Sequence, residues 1–227
     1  MSYYIFKTAV NNIETGSVYP QVQEMSPGYN YKAPNSVHAL SKVYQHLPDF
    51  TPDLDYFELA GGAKLSDLLS TAMVYGGFLI SEKLKNLFEK FHLPTHRFYL
   101  ARVKYKNQFY NYYWMHIICD LTSAVDYKNS KFFIYYNYAH NLGYIDTISK
   151  IELKQKEKKL KIENPGKTIA IWAETISLNQ SFNKTLDLFE IGQFDSNYYI
   201  SKQLRENIIK KNITGVDMRS AENIIIK

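Results

Sequence analysis

A long run of strand-forming residues in the middle of the chain constrains the fold more than any other feature. Two segments rich in aromatic and β-branched residues, Arg97–Tyr105 and Phe109–Ile118, flank the polar residues Lys106-Asn107-Gln108. A short polar connection between two such segments is typical of a β-hairpin. The middle of the chain is therefore predicted to build an antiparallel sheet.

Other segments predict further strands. Tyr3–Val10, Lys131–Tyr138 and Thr168–Ala173 are rich in aromatic and β-branched residues and are bounded by turn-prone residues. The segment Lys150–Glu163 alternates apolar and charged residues, which fits a period of two better than a period of 3.6. It is therefore interpreted as a Lys-rich hairpin near a sheet edge, where lysines discourage unwanted strand pairing.

Helices are predicted where a serine precedes apolar residues at helical spacing. Ser81 and Ser201 are natural N-caps for helices at Glu82–Phe91 and from residue 202 to about residue 212. Shorter helices are predicted from Ser36 through His46 and at Ser66–Thr71. The peptides Ile80-Ser81-Glu82-Lys83-Leu84 and Ile200-Ser201-Lys202-Gln203-Leu204 are similar, and we interpret them as a recurrent connection from a strand to a capped helix.

These elements together predict an α+β fold. We expect one mostly antiparallel sheet, built from the strands near Arg97–Ile118, Lys131–Tyr138 and Thr168–Ala173, with a few amphipathic helices packed on it. Five prolines lie between Thr15 and Asp55, so this N-terminal stretch is expected to wrap over the core without long regular elements. A length of 227 residues is compatible with one domain spanning residues 1–227. A division of this domain into two parts near residue 75 is left as an alternative.

Composition narrows the class of protein. The longest nearly apolar stretch, Ala72–Ile80, is far shorter than the roughly 20 residues of a membrane-spanning helix, so no membrane association is expected. A single cysteine, Cys119, fits a reducing compartment, and the cytoplasm is the expected location. The net charge of +5 divides into −3 for residues 1–75 and +8 for the rest, which favours an anionic partner for the second part. The alternative is that some of the basicity is compositional drift, since AT-rich codons favour the abundant residues Lys, Asn, Ile, Tyr and Phe.

No motif predicts catalysis or a cofactor. His92 and His96 have a spacing suited to a metal, but Pro94 breaks the helical geometry that the spacing requires. A catalytic thiol at Cys119 would need a base, for which His116 and His140 are candidates. The residues around Cys119 match no sequence context typical of a catalytic cysteine. The glycine pairs form no phosphate-binding loop. We therefore expect neither a catalytic residue nor a bound metal or cofactor.

Two groups of residues are candidates for binding a partner. Alternation places Tyr110, Tyr112 and Trp114 on one face of their strand, with Phe109 and Tyr113 on the other. Aromatic residues beside lysines suit base stacking or a protein interface, whereas a strand covered on both faces has the same pattern. The second group contains Lys154, Lys156, Lys159 and Lys161, which fit either a binding face or a solvated sheet edge.

Several segments resemble a family of immunity proteins from bacterial polymorphic-toxin systems, the eleventh in that catalogue and formerly a domain of unknown function. The similar segments are 63–70, 78–84, 98–103, 112–114, 125–132, 188–191, 199–201 and 213–216. The resemblance implies a cytoplasmic protein, encoded beside a toxin, that neutralises the toxin by binding it. It implies no particular contact residues.

The expected function is therefore non-catalytic binding of a cognate toxin domain. A nucleic-acid-binding module that uses the basic, aromatic-rich second part of the chain is the alternative. The positive charge argues against an inhibitor that imitates nucleic acid, and it suits a toxin with an acidic surface.

Overall fold

The computed structural model describes residues 2–137 and 140–226. The helices are α1 (Val37–Leu40), α2 (Glu82–Phe88), α3 (Lys150–Glu163) and α4 (Lys202–Lys210). The strands are β1 (Tyr3–Thr8), β2 (Val22–Met25), β3 (Phe57–Leu59), β4 (Leu68–Leu69), β5 (Gly77–Ser81), β6 (Thr95–Tyr105), β7 (Gln108–Ile118), β8 (Lys131–Tyr136), β9 (His140–Ile145), β10 (Ile169–Leu178), β11 (Leu188–Gly192), β12 (Asp195–Ser201), β13 (Val216–Ser220) and β14 (Ile224–Ile226). No helix among the described residues is both long and apolar enough to cross a membrane.

The strands of the described residues form three sheets. Their orders are β2-β3-β6-β7-β5-β4, β11-β12-β1-β13 and β14-β10-β8-β9. Neighbouring strands are antiparallel except for the pairs β3–β6 and β10–β14. The prediction of an α+β chain with mostly antiparallel sheets is therefore confirmed. The prediction that β6, β7, β8 and β10 share one sheet is wrong, because β8 and β10 pair in a separate sheet.

The hairpin of β6 and β7 is the longest regular unit of the fold. Its strands stay in register from the pair Tyr105–Gln108 at the turn to the pair Thr95–Ile118 at the far end. Lys106 has φ 48° and Asn107 has φ 62°. Positive φ at both turn residues matches the right-handed twist of the flanking strands, so a two-residue turn is enough. The predicted hairpin is confirmed.

Two predicted helices in the first part of the chain are corrected. Ser66–Thr71 contains the short strand β4, because Leu68 and Leu69 are buried where they pair with β5. The helix predicted from Ser36 through His46 ends after one turn at Leu40. Tyr44 is 68% exposed, so the apolar face predicted for a longer helix is not covered by the core.

Other boundaries differ by a few residues, as is usual where helix and strand ends fray. β1 ends at Thr8, α2 at Phe88 and α4 at Lys210, while β10 continues beyond its predicted end to Leu178. β8 is described as far as Tyr136, and Tyr138 at the end of the predicted strand lies outside the described residues.

The segment Lys150–Glu163 is a helix, so the predicted Lys-rich hairpin is wrong. Ser149 caps α3 by accepting a hydrogen bond from the backbone N–H of Glu152, 3.1 Å away. The Glu152 carboxylate in turn accepts from the backbone N–H of Ile148 at 2.8 Å, close to a capping box. Glu–Lys pairs four residues apart then support the helix along its length. Only Leu153 is buried, so helix-forming residues and local pairs stabilise α3 more than core packing does.

The similarity between the two capped helices extends to the strands that precede them. Asp67 and Asp187 each lie 14 positions before the cap serine, and corresponding residues are 120 positions apart. Ser81 donates to Asp67 Oδ1 at 2.6 Å, and Ser201 donates to Asp187 Oδ1 at 2.5 Å. Each aspartate therefore ties its strand pair to the start of a helix in the same way.

The neighbouring strands repeat as well, so the fold contains two similar units. The first unit has the strand order β4-β5-β7-β6 with helix α2, and the second has the order β11-β12-β1-β13 with helix α4. Lys85 lies over the ring of Tyr113 at 5.2 Å, and Arg205 lies over the ring of Tyr4 at 4.5 Å. The N-terminal strand β1 thus occupies the position in the second unit that β7 occupies in the first. The strand order of the second unit is circularly permuted along the chain.

The same two aspartates, Asp67 and Asp187, also accept hydrogen bonds from the other unit. Thr214, which follows α4, donates to Asp67 Oδ2 through its backbone N–H at 2.9 Å and its hydroxyl at 3.1 Å. His92, which follows α2, donates its backbone N–H to Asp187 Oδ2 at 3.0 Å. Buried residues of both helices share one apolar cluster, including Leu84, Leu204 and Phe6. The chain after each helix is therefore anchored on the other unit.

Candidate partner-binding surfaces

Two of the aromatic residues predicted to bind a partner lie in the core. Trp114 is 1% exposed and Tyr112 is 6% exposed. The face of β7 that carries them packs against apolar residues from the segment 22–74, and Tyr112 donates its hydroxyl to the carbonyl of Ser66 at 2.8 Å. Their placement on an accessible surface is therefore corrected. Tyr110, on the same face near the hairpin turn, is half-buried and donates to Gln108 at 3.0 Å.

The opposite face of the hairpin is open near its turn. Leu100 of β6 is 63% exposed, and Phe109 of β7 is 52% exposed. The surface around them, which we call the hairpin face, contains Phe98, Leu100, Arg102, Lys104, Phe109, Asn111 and Tyr113 together with Asp55, Tyr56 and Glu58 beside β3. Sequence alternation already separated Phe109 and Tyr113 from Trp114, but it did not indicate which face is covered.

Cations lie over the aromatic rings of the hairpin face. Arg102 lies 5.2 Å from the centroid of the Phe109 ring, and Lys104 lies 5.4 Å from that of Tyr56. These two rings meet edge to face at 5.1 Å. At the other end of the face, Lys85 of α2 lies over Phe98 at 5.3 Å. Each contact of this kind contributes about 0.5–1 kcal/mol at an exposed site and holds the two side chains in place.

Each of these cations also has a carboxylate partner. Arg102 pairs with Asp55 at 3.2 Å, and Lys104 pairs with Glu58 at 2.9 Å. The pKa of Lys104 is raised because its ammonium donates a hydrogen bond to Glu58. Lys85 pairs with Glu89 at 2.6 Å. The hairpin face therefore presents exposed apolar groups within a charge-balanced frame.

The helical structure of 150–163 changes which lysines are available. Lys156, Lys159 and Lys161, predicted as binding residues, pair with Glu152, Glu163 and Glu157 at 2.6, 3.7 and 2.6 Å. Lys154 is exposed and has no carboxylate within 4.0 Å among the described residues. Lys158, which was not among the predicted binding residues, is also exposed and also has no carboxylate within 4.0 Å among the described residues. Helical spacing would have indicated it, since Lys158 lies one turn after Lys154.

A cleft of about 680 Å³ lies beside α3, and its lining includes Lys150, Lys154, Trp172, Glu190 and Asp195. Burial raises the pKa of Glu190 to about 7, although Tyr198 donates a hydrogen bond to its carboxylate. Burial also raises the pKa of Asp195, against the effect of hydrogen bonds from Tyr199 and Asn197. The carboxylates of Glu190 and Asp195 therefore bind protons more tightly than ordinary carboxylates do.

Replacement of Glu190 by Gln is expected to stabilise the protein at alkaline pH. A carboxyl group with a raised pKa binds its proton more tightly in the folded state, so wild-type stability falls as the pH rises from about 4.5 to about 7. Gln cannot ionise, and we expect Glu190→Gln to gain about 1–3 kcal/mol at pH 8 and little at pH 4. Urea unfolding at both pH values measures the difference. Glu163→Gln, which removes a surface carboxylate, is the control, and an equal gain there contradicts the assignment to Glu190.

Cys119, His92 and His96 each contact other polar atoms of the protein. The Cys119 thiol donates to the carbonyl of Glu190 at 3.3 Å, and burial raises its pKa to about 11, so it is a poor nucleophile at neutral pH. His92 Nδ1 lies 2.6 Å from Thr185 Oγ1, and His96 Nδ1 lies 2.8 Å from the Pro94 carbonyl. His116 is fully buried, and burial lowers its pKa. The part of the chain that the structure describes contains no cluster of metal-ligating side chains.

The comparison with known families covers nearly the whole chain. A model described as "Immunity protein family (Imm11)" matches residues 2–223, which include both repeated units, the hairpin face and α3. No curated protein matches the chain. A match of this extent confirms the family that the sequence segments resemble. The chain belongs to the Imm11 immunity protein family.

Proposed function

We propose that this protein neutralises a cognate bacterial toxin by binding to it in the cytoplasm, without catalysis and without a cofactor. Membership of an immunity protein family supports a toxin as the partner. The observation that carries the proposal is the hairpin face, where Leu100 and Phe109 are exposed on two paired strands. Exposed apolar groups in a polar frame are typical of protein interfaces.

The hairpin face has the side chains that dominate binding energy in such interfaces. Arg and aromatic residues are enriched among binding hot spots, and here Phe109 contacts both Arg102 and Tyr56 before any partner binds. Side chains already held in place lose little conformational entropy on association. We therefore propose Phe109 and Leu100 as the apolar anchors, with Arg102 and Lys104 at their rim.

Of the residues predicted from the sequence, Tyr110 and Lys154 remain proposed contacts. Tyr110 is half-buried on the face of β7 opposite to Phe109, close to the hairpin turn, so we propose it as a contact only at the edge of the interface. Lys156, Lys159 and Lys161 are held in ion pairs along α3 and are proposed as minor contributors.

The charge balance of the hairpin face counts against the nucleic-acid alternative. Phosphates bind cations that are free to release their counterions. Arg102, Lys104 and Lys85 already hold carboxylates, and those carboxylates repel a phosphate backbone. A protein surface that buries Phe109 and Leu100 does not require these ion pairs to break.

Protection and binding by matched variants test the proposal. We expect the wild-type protein to protect cells that express the toxin encoded by the adjacent gene, and to bind that toxin in calorimetry. Replacing both Leu100 and Phe109 by Ser is expected to weaken binding by about 30-fold or more, because two apolar anchors are lost. The control replaces Ile13 and Ile209, which are exposed apolar residues elsewhere on the protein, by Ser.

Circular dichroism of both double variants checks that each remains folded. Absence of protection and of association for the wild-type protein contradicts the proposed function. Equal loss of binding in both variants leaves the toxin as partner but contradicts the hairpin face as its site.

A further inference from the structure

The outward surface of α3 carries exposed isoleucines beside free lysines. Ile151 is 70% exposed and Ile162 is 69% exposed. Ile151, Lys154, Lys158 and Ile162 follow one another at helical spacings of three, four and four residues, so they are neighbours on one side of the helix. We call this set the α3 ridge.

The two flanks of α3 differ in charge. On one flank, Glu152 pairs with Lys156 and Lys159 pairs with Glu163, which leaves no net charge. The other flank carries Lys150, Lys154, Lys158 and Lys161. Of these four lysines, Lys150 pairs with Asp120 and Lys161 with Glu157, whereas Lys154 and Lys158 have no ion pair in the described parts of the chain. Positive charge is therefore concentrated on the α3 ridge and on the flank next to it.

The isoleucines of the ridge do not serve the core of this protein. Leu153 is the buried residue of α3, and the helix contacts β10 on that side. Moving an exposed isoleucine from water into an apolar site is favourable, so Ile151 and Ile162 can both contribute to the affinity for a partner. Lys154 and Lys158 have no internal pair to give up when a partner approaches.

We infer that the α3 ridge is a second docking surface, which fits an acidic face of the toxin that has apolar sockets. The inference rests on the proposed function and adds the location of the contact and the chemistry of the partner. The argument is charge complementarity: the free lysines attract carboxylates, and the flanking isoleucines require apolar contacts. The hairpin face, by contrast, is charge-balanced and adds little electrostatic attraction.

The arrangement of the ridge favours a protein over nucleic acid or a membrane. The isoleucines lie 11 residues apart, about 16 Å along the helix, and each needs its own apolar socket. A duplex offers a continuous phosphate backbone and no such sockets. A membrane-bound helix buries a continuous apolar stripe, but Gln155 and Lys158 lie between the two isoleucines.

Two lysine variants with the same net charge test the electrostatic part. One variant replaces Lys154 and Lys158 by Gln, and its control replaces Lys202 and Lys210, two exposed lysines of α4, by Gln. At 50 mM salt we expect the first variant to bind the toxin about three- to tenfold more slowly, with the control within about twofold of wild type. At 500 mM salt the rates should converge, because salt screens the attraction. Stopped-flow association measures both.

A third variant tests the apolar part. Replacing Ile151 and Ile162 by Ala is expected to raise the dissociation rate about five- to tenfold while leaving the association rate nearly unchanged. The helix should remain formed, because Ala is the strongest helix former and both positions are exposed. Circular dichroism checks this.

Equal association rates for the two lysine variants overturn the inference, as does an unchanged dissociation rate for the isoleucine variant. Binding of the wild-type protein to the toxin in the same experiments shows that the proposed function stands even then. A titration with an unrelated 20-base-pair DNA duplex is the last control. If Lys154→Gln with Lys158→Gln abolishes DNA binding and leaves toxin association unchanged, the ridge is a nucleic-acid surface and the inference is wrong.

Discussion

Deletion of residues 1–10 is expected to leave the chain unfolded. β1 lies inside a four-stranded sheet, where it pairs with β12 on one side and β13 on the other. Phe6 is fully buried in the cluster that both helices share. Loss of one buried Phe side chain alone costs about 3–5 kcal/mol, and loss of both strand ladders adds to it. The total approaches or exceeds the 5–15 kcal/mol that stabilises a typical protein. Far-UV circular dichroism and a thermal melt measure the outcome.

A circular permutant is the matched control for that deletion. It joins Lys227 to Met1 through a six-residue Gly-Ser linker and opens the chain between Asn11 and Asn12. The linker is long enough because Ala221 donates its backbone N–H to the Tyr3 carbonyl at 3.1 Å. The six residues after Ala221 can span at most about 22 Å, and the six-residue linker can span a similar distance back. The permutant retains every residue of β1 and is expected to melt cooperatively. A deletion variant with wild-type stability contradicts the assignment of β1 to the second unit.

Replacement of Asp67 by Ala is expected to destabilise the protein by about 2–4 kcal/mol at pH 7, because it leaves several part-buried donors without an acceptor. The Asp67 carboxylate accepts hydrogen bonds from Ser81 in its own unit and from Thr214 in the other. Burial alone raises the pKa of Asp67, but hydrogen bonds from Ser81, Thr214 and Lys83 outweigh burial, and the pKa is lowered. Urea unfolding at pH 7 measures the loss.

The pH dependence and a surface control separate this effect from a general loss of charge. A carboxylate with a lowered pKa stabilises the fold above its ordinary pKa, and the stabilisation is lost as the pH falls through the folded-state value. The difference between wild type and Asp67→Ala should therefore shrink in acid below pH ~4. Asp55→Ala removes an exposed partner of Arg102 and should cost less than about 1 kcal/mol. Equal losses in the two variants contradict the role of Asp67 as a link between units.

The sequence was sufficient wherever the determining contacts are local. The two-residue turn at Lys106 and Asn107 and the cap serines Ser81 and Ser201 depend on residues only a few positions away. Local chemistry therefore predicted the hairpin and both repeated helices. The soft apolar segments that resemble an immunity family likewise indicated the family that the whole-chain match confirms.

The sequence was insufficient wherever distant segments decide the outcome. Trp114 is buried and Phe109 exposed because residues 22–74 cover one face of the hairpin and leave the other open. Strand alternation is the same in either case. The error at α3 has a different cause, since its charged residues suit both a strand edge and a helix. The Ser149 cap and the Glu–Lys spacing were the signals that decide for the helix.

The hairpin face depends on contacts between distant residues, whereas the α3 ridge depends on spacing within one helix. The pair Lys104–Glu58 joins residues 46 positions apart, and the pair Arg102–Asp55 joins residues 47 positions apart. No sequence spacing predicts such pairs, so the charge balance of the hairpin face emerged only from the fold. The α3 ridge, by contrast, follows from helical spacing as soon as the helix is recognised.

The reciprocal anchoring of the two units has a consequence for local unfolding. Because His92 after α2 is held by Asp187, and Thr214 after α4 by Asp67, opening of either unit releases an anchor of the other. The amide protons of both units should therefore exchange with solvent through one shared, high-energy opening. α3, with Leu153 as its buried residue, lies outside this cooperative block. The helix can fray and adjust to a partner while the sheet that carries the hairpin face stays rigid.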